Sequence, residues 1–270
     1  MLLPTALTVA GSDCSGGAGV QADLKTFSAN GVFGMSVITS VVAENTSRVI
    51  SVENISPQII SDQFDAVFED ITVNAVKIGM LSDKTRMDVV AGKLREYAPQ
   101  YVVIDPVMIA KGGHALMEQN ALDALRELII PLSFVLTPNI PEAEAITGMR
   151  IGNVEEMKTA ARTIFELGAK NVVIKGGHLD EDKDAVDVLF DGREFYYFSS
   201  ERINTKNTHG TGCTFSSAIA AGLAKEKSVY ASVSDAKKYV RTAIEHSLDI
   251  GKGHGPTNHF FELYRKGNLL

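Results

Sequence analysis

Hydrophobic positions along the chain fall into two patterns. Short apolar runs rich in β-branched residues recur at ALTVA (6–10), SVITSVVA (36–43), AVKIG (75–79), YVVID (101–105), FVLT (134–137) and NVVIK (171–175), and predict buried strands. Between most of them lie stretches with helical periodicity, such as AGVQADLKTFSAN (18–30), PQIISDQFDAVFED (57–70) and VEEMKTAARTIFELGA (154–169). Strand followed by helix, repeated, predicts an α/β protein whose parallel strands are joined by right-handed crossovers. AVDVLFDGREFYYF (185–198) departs from this: Asp191-Gly192 separates two strand-like runs and predicts a tight antiparallel hairpin, so the sheet is mixed. After residue 207 the pattern is largely helical to about 250. No linker, low-complexity block or internal repeat divides the chain, and one domain over 1–270 is expected.

Composition narrows the function classes. With 45% hydrophobic and 22% charged residues among 270, the chain has the make-up of a globular protein. The formal charge of −7 provides no general basic surface for nucleic acid or anionic lipid, so an anionic ligand must be held by local groups. Cys14 and Cys213 are far apart, which predicts neither a disulfide framework nor a zinc ribbon and fits a reducing cytoplasm. The opening MLLPTALTVAGSD is too short to span a bilayer, lacks a basic start and runs into a strand pattern, so no targeting segment is expected. The six histidines form no i, i+4 pair, which argues against zinc; His209 abuts a glycine turn.

In an open α/β sheet, ligands collect beyond the carboxyl ends of parallel strands. Here the strands run out into GSDCSGGAG (11–19), AEN (43–45), GML (79–81), DPV (105–107), TPNIPE (137–142) and KGGH (175–178). The richest stretch, NTHGTGCTFSSAIAAGL (207–223), sets Gly210 and Gly212 where a polar turn becomes a helix, whose first amides suit a phosphate. Glycines there are also an ordinary way to enter a helix. Cys213 in the first turn is expected to have its thiolate favoured by the helix terminus, and so to be a possible proton acceptor; the alternative is a small buried hydrophobe. Asn139 and Glu142 fit a helix cap and also magnesium held through water. Asp105 is a second magnesium or phosphate-adjacent candidate, and Lys175 could neutralise phosphate charge.

A rival reading starts from Gly17-Ala18-Gly19-Val20-Gln21-Ala22, which satisfies a dinucleotide fingerprint, with Glu44 as the ribose-binding acid of a dehydrogenase. The long loop before Gly17 and the unexplained 207–223 stretch rank it second. A non-catalytic binding protein would have no use for a magnesium set and a thiol together.

In combination, GSDCSGGAGVQADLKTF, KIGML, DPVM, TPNIPEAE, KGGH, NTHGTGCTFSSAIAA and the late GKGHGPTNHF resemble the bacterial hydroxymethylpyrimidine/phosphomethylpyrimidine kinases of the ribokinase superfamily, over essentially the whole chain. The resemblance implies a ribokinase-like three-layer sandwich, ATP with Mg2+, and phosphorylation of 4-amino-5-hydroxymethyl-2-methylpyrimidine and then its monophosphate in thiamine biosynthesis. It implies an anion hole from Gly210, Thr211 and Gly212 to Cys213, with Cys213 where sugar kinases carry an aspartate base. By the same resemblance Gly11, Asp23, Glu44, Met80 and Val107 fall at the pyrimidine pocket, and Lys175, Thr208 and Lys237 near the nucleotide phosphates. Glu142, with Asp105 or Asn139, falls on the magnesium side. A cytoplasmic homodimer is implied. Glu44 stands where many such kinases carry glutamine, which leaves room for side activity on pyridoxal-type substrates.

Overall fold

The computed structural model describes residues 3–109, 113, 116–118, 121–177 and 184–269. His114 and His178 lie outside the described residues. The chain alternates β1 (Thr5–Gly11), α1 (Gly19–Ala29), β2 (Phe33–Glu44), β3 (Val49–Asn54), α2 (Pro57–Phe68), β4 (Ala75–Ile78), α3 (Lys84–Tyr97) and β5 (Val102–Ile104). It continues through α4 (Ala121–Ala124), β6 (Val135–Leu136), α5 (Ile140–Thr147), α6 (Val154–Glu166) and β7 (Val172–Ile174). The last elements are β8 (Asp184–Phe190), β9 (Phe195–Glu201), α7 (Thr211–Ala224), α8 (Val229–Glu245) and α9 (Phe261–Lys266).

Among the described residues, nine strands form one sheet in the order β3-β2-β1-β4-β5-β6-β7-β8-β9. Pairing is parallel from β2 through β1, β4, β5 and β6 to β7, and antiparallel at β2–β3, β7–β8 and β8–β9. Successive side chains of a strand point to opposite faces, and the two cores follow from that. Leu7 and Val9 pack with Ile60, Phe64, Met87, Met157 and Ile164 on one face. Ala6, Ala75, Val103 and Val173 pack with Phe27, Phe215, Ile219 and Val240 on the other. The layers are therefore helix, sheet, helix, as expected.

Two local expectations change. β3 escapes a periodicity reading because its residues are mostly exposed, so VISVEN at the sheet edge carries no alternation of buried and open positions. The late hairpin pairs Phe190 with Phe195, leaving a four-residue connection at 191–194 rather than a two-residue turn. Asp191 Oδ1 accepts the N–H groups of Arg193 and Glu194, both at 2.8 Å, so a side chain closes this loop.

Candidate active site

The parallel strands end at a cleft of about 900 Å³ whose walls include every expected site residue except Asp23. Its floor is set by how α7 begins. Helices α2, α3, α5, α6 and α8 each start on a capping side chain, from Ser56, Asp83, Asn139, Asn153 and Ser228 respectively. At the first turn of α7 no side chain caps the amides, because the N-cap is Gly210. Its φ of 76° is left-handed, and a Cβ there would overlap the carbonyl oxygen of Gly17, so only glycine permits the approach. Thr211, Gly212 and Cys213 line the cleft; the Thr211 N–H donates to the Thr208 carbonyl at 3.3 Å, and no side chain caps the first turn, a geometry that suits an anion. Thr208 also lines the cleft, its carbonyl oxygen accepting from Thr211 Oγ1 at 2.8 Å.

Cys213 behaves opposite to expectation. A helix terminus favours the thiolate, yet burial pushes the thiol up to about 11. Lys77 and the Gly19 N–H pull the other way, while Asp23 and Asp105 add to the rise. In the ligand-free protein Cys213 is thus a neutral thiol.

Opposite α7, Lys175 Nζ lies 2.7 Å from Asp105 Oδ1, and a Cβ on Gly212 would stand 3.2 Å from Asp105 Oδ2 and 3.5 Å from Lys175 Nζ. These charges therefore border the first turn of α7 directly. Asn139 and Glu142 form a reciprocal capping box that starts α5. Burial raises the Glu142 pKa to about 7 against the pull of Lys175, with Asp105 pushing it further up. Asp105 Oδ1 also accepts from Thr137 Oγ1 at 3.3 Å. Two carboxylates whose oxygens are already engaged by protein donors fit a magnesium ion held through water rather than by a closed protein cage.

The N-terminal loop supplies a residue that the sequence reading missed. Asp13 accepts the N–H groups of Ser15 at 2.7 Å, Gly17 at 3.0 Å and Ala18 at 2.7 Å, and pairs with His209 Nε2 at 2.8 Å. Those bonds hold its carboxyl well below the usual carboxylate range despite burial. A protein carboxylate thus occupies the start of α1, where a dinucleotide enzyme would bind pyrophosphate, and this removes the physical basis of the dehydrogenase reading. The same pair locks the glycine loop against the turn before α7. Glu44 completes a cluster with Asp13 and His209 whose ligand atoms all lie within 4.8 Å of one another. Because Asp13 is engaged by four donors, the cluster is a loop lock rather than a metal centre. Burial, then the charge of Asp13, raises the Glu44 pKa to about 7, with His209 opposing.

One expected role is corrected by placement. Asp23 is fully buried between the sheet and α7, bonded to Thr8, Lys77 and Ser217, and cannot contact a ligand in the cleft. Lys237 lines the cleft, its Nζ held by Asp187 Oδ2 at 2.8 Å and the Ala185 carbonyl at 2.9 Å, much as Lys175 is held by Asp105. Gly11, Met80 and Val107 line the apolar side with Val42, and a Cβ on Gly11 would stand 3.3 Å from Met80 Sδ.

Comparison with known proteins identifies the family. Residues 13–258 match the phosphomethylpyrimidine kinase family. A hydroxymethylpyrimidine/phosphomethylpyrimidine kinase of Bacillus subtilis is 49% identical over 260 residues, covering 96% of each chain. Among solved structures, a Bacillus subtilis pyridoxal kinase bound to ADP superposes with a TM-score of 0.90 at 41% identity, over 96% of this chain and 98% of that one. A Clostridium difficile phosphomethylpyrimidine kinase gives 0.80 at 47%, over 89% and 99%. The chain belongs to the phosphomethylpyrimidine kinase family.

Proposed function

We propose that this protein uses ATP and magnesium to phosphorylate 4-amino-5-hydroxymethyl-2-methylpyrimidine and then converts the monophosphate to the diphosphate, in thiamine biosynthesis. The observation that carries this reading is the uncapped first turn of α7, open to the cleft beside Cys213 and flanked by the Lys175–Asp105 pair. A transferred phosphoryl group spreads charge over its equatorial oxygens, and preorganised amides at a helix terminus stabilise that charge without reorganising.

In this reading the amides of Gly212 and Cys213, in the turn that Thr211 opens, hold the transferred group, while Lys175, Thr208 and Lys237 border the nucleotide phosphates. Glu142 and Asp105, with Asn139 fixing Glu142, would hold magnesium through water, and the ion would supply charge neutralisation there. The thiolate form of Cys213, its own proton released to solvent, takes the hydroxyl proton as the oxygen bonds to the γ-phosphorus and the bond to the departing ADP breaks; the high pKa makes that thiolate a strong acceptor. Gly11, Met80 and Val107 hold the ring, and Glu44 reads its amine and adjoining ring nitrogen. Near its pKa of about 7 Glu44 is partly a carboxylic acid, which can donate and accept much as a glutamine does.

The pyridoxal kinase neighbours, one at 41% identity, support a side activity on pyridoxal-type substrates. The same family membership supports one kinase domain acting as a cytoplasmic homodimer; among the described residues no helix is long and apolar enough to cross a membrane. Turnover with the aminopyrimidine, its monophosphate and pyridoxal, assayed side by side with magnesium and ATP, tests the reading. Preference for pyridoxal over both pyrimidines would overturn the substrate assignment.

A further inference from the structure

Beneath the cleft lies a charged pair that makes no contact with it. Lys77 and Asp23 are both 0% exposed, and Lys77 Nζ stands 2.9 Å from Asp23 Oδ2. Asp23 is held from two further sides: Thr8 Oγ1 on β1 donates to Oδ2 at 2.6 Å, and Ser217 Oγ on α7 donates to Oδ1 at 2.7 Å. Ser217 lies four residues beyond Cys213, so on the helix it sits one turn below the thiol on the same face. The ammonium is at the carboxyl end of β4, close enough that a Cβ on Gly79 would stand 2.8 Å from Nζ. The next residue, Met80, is part of the cleft wall.

Taking a lysine and a carboxylate out of water costs several kcal/mol, and their mutual attraction repays this only in part, so well-packed neutral substitutes commonly fold as well. Stability alone therefore gives weak reason for a charge here. The charge does reach the active centre: Lys77 opposes the burial-driven rise at Cys213, and its pull exceeds the opposing push from Asp23. Cys213 and Asp105 in turn contribute to holding Lys77 protonated.

We propose that Lys77 is a positioning residue for phosphoryl transfer: its buried ammonium, clamped by Asp23 under the first turn of α7, acts through Cys213 and the adjoining amides to favour negative charge at the reacting centre. This rests on the role given to α7 and Cys213 above, and it extends the electrostatic platform from the helix terminus to a fixed charge behind it.

The test is the double variant Lys77→Met/Asp23→Asn, which removes both charges while the asparagine keeps partners for Thr8 and Ser217. Three readouts apply: thermal unfolding, kcat and KM in the kinase assay, and the rate at which iodoacetamide alkylates Cys213 in the ligand-free protein with Cys14→Ser as background. The proposal expects a folded protein, a kcat lowered about tenfold or more, KM values within about threefold of the parent, and alkylation slowed about fivefold or more. Ser217→Ala, which cuts the tie to α7 and leaves the charges, is expected to keep kcat within about threefold. A double variant that fails to fold, or an equal loss of kcat in Ser217→Ala, makes the pair a structural brace and overturns the proposal. Unchanged alkylation and kcat in a folded double variant overturn it as well. Alkylation reports on Lys77 whether or not Cys213 is the base, whereas Cys213→Ala alone tests the base assignment, so the two failures are distinguishable.

Discussion

Asn139 and Glu142 close a reciprocal pair: Glu142 Oε2 accepts the Asn139 N–H at 2.8 Å, and Asn139 Oδ1 accepts the Glu142 N–H at 2.9 Å. The cap is therefore real, and the metal role has to be separated from it. Glu142→Gln keeps the side-chain acceptor but removes the charge. Its expected cost in stability is within the range of about 0.5–2 kcal/mol for a weakened cap, while the magnesium concentration needed for half-maximal turnover rises about tenfold. Unchanged metal dependence with a lower Tm would leave Glu142 a cap only.

Cys213→Ala is expected to lower kcat about a hundredfold while the Kd for ATP changes less than about threefold, because general-base assistance is absent from ground-state binding. With the thiol at about 11, the Cys213-dependent part of turnover rises with pH throughout the neutral range, and the alanine variant loses that rise. Near-parental turnover in the variant would make the cysteine a packing residue.

For Glu44 the sign of the pH effect is set by its raised pKa of about 7. Between the ordinary carboxyl value of 4.5 and about 7, the folded protein binds more protons here than the unfolded chain, so this group's contribution to stability falls as pH rises through that window. The protonated acid can donate to the neutral ring nitrogen, so pyrimidine affinity strengthens as pH falls through about 7. Glu44→Gln is expected to flatten both dependences, read by the Kd for the aminopyrimidine and by Tm across pH. Parallel curves in the two proteins would remove Glu44 from ring recognition.

The Asp13–His209 pair is expected to matter for order at the cleft. Its carboxyl is held below its usual value of 3.8, so its contribution is full above that value and is lost as pH falls below it. Asp13→Ala leaves the buried N–H of Gly17 and the half-buried N–H of Ala18 without an acceptor, and is expected to cost about 1–3 kcal/mol and to loosen the loop against Gly210. Hydrogen exchange at residues 13–19 checks this, and protection equal to the parent's would refute the lock.

Much of the site is legible in the sequence because strand ends in a parallel sheet collect chemistry. Asp105 and Lys175 close strand-like runs, Glu142 lies in the turn just past another, and the Gly210 turn announces itself by its glycines. Asp13 and His209 give no such sign, since an ion pair across 196 residues leaves no local signal. Asp23 misleads for a related reason: helix α1 carries it on the face turned toward α7 and Lys77, and nothing in QADLKTF reveals which neighbour that face meets. For Cys213 the sequence points to the wrong shift, because a helix terminus can be read from residue types whereas the burial that outweighs it cannot.

The central claim is sequential phosphorylation of one aminopyrimidine by ATP. A phosphorus NMR time course of the protein with magnesium, ATP and the hydroxymethylpyrimidine tests it most directly. The account predicts a pyrimidine monophosphate that rises first and then gives way to the diphosphate, with ADP formed at each step and both phases slowed about a hundredfold in Cys213→Ala. Hydrolysis of ATP with no phosphorylated pyrimidine, or a monophosphate that accumulates and never becomes the diphosphate, would contradict it.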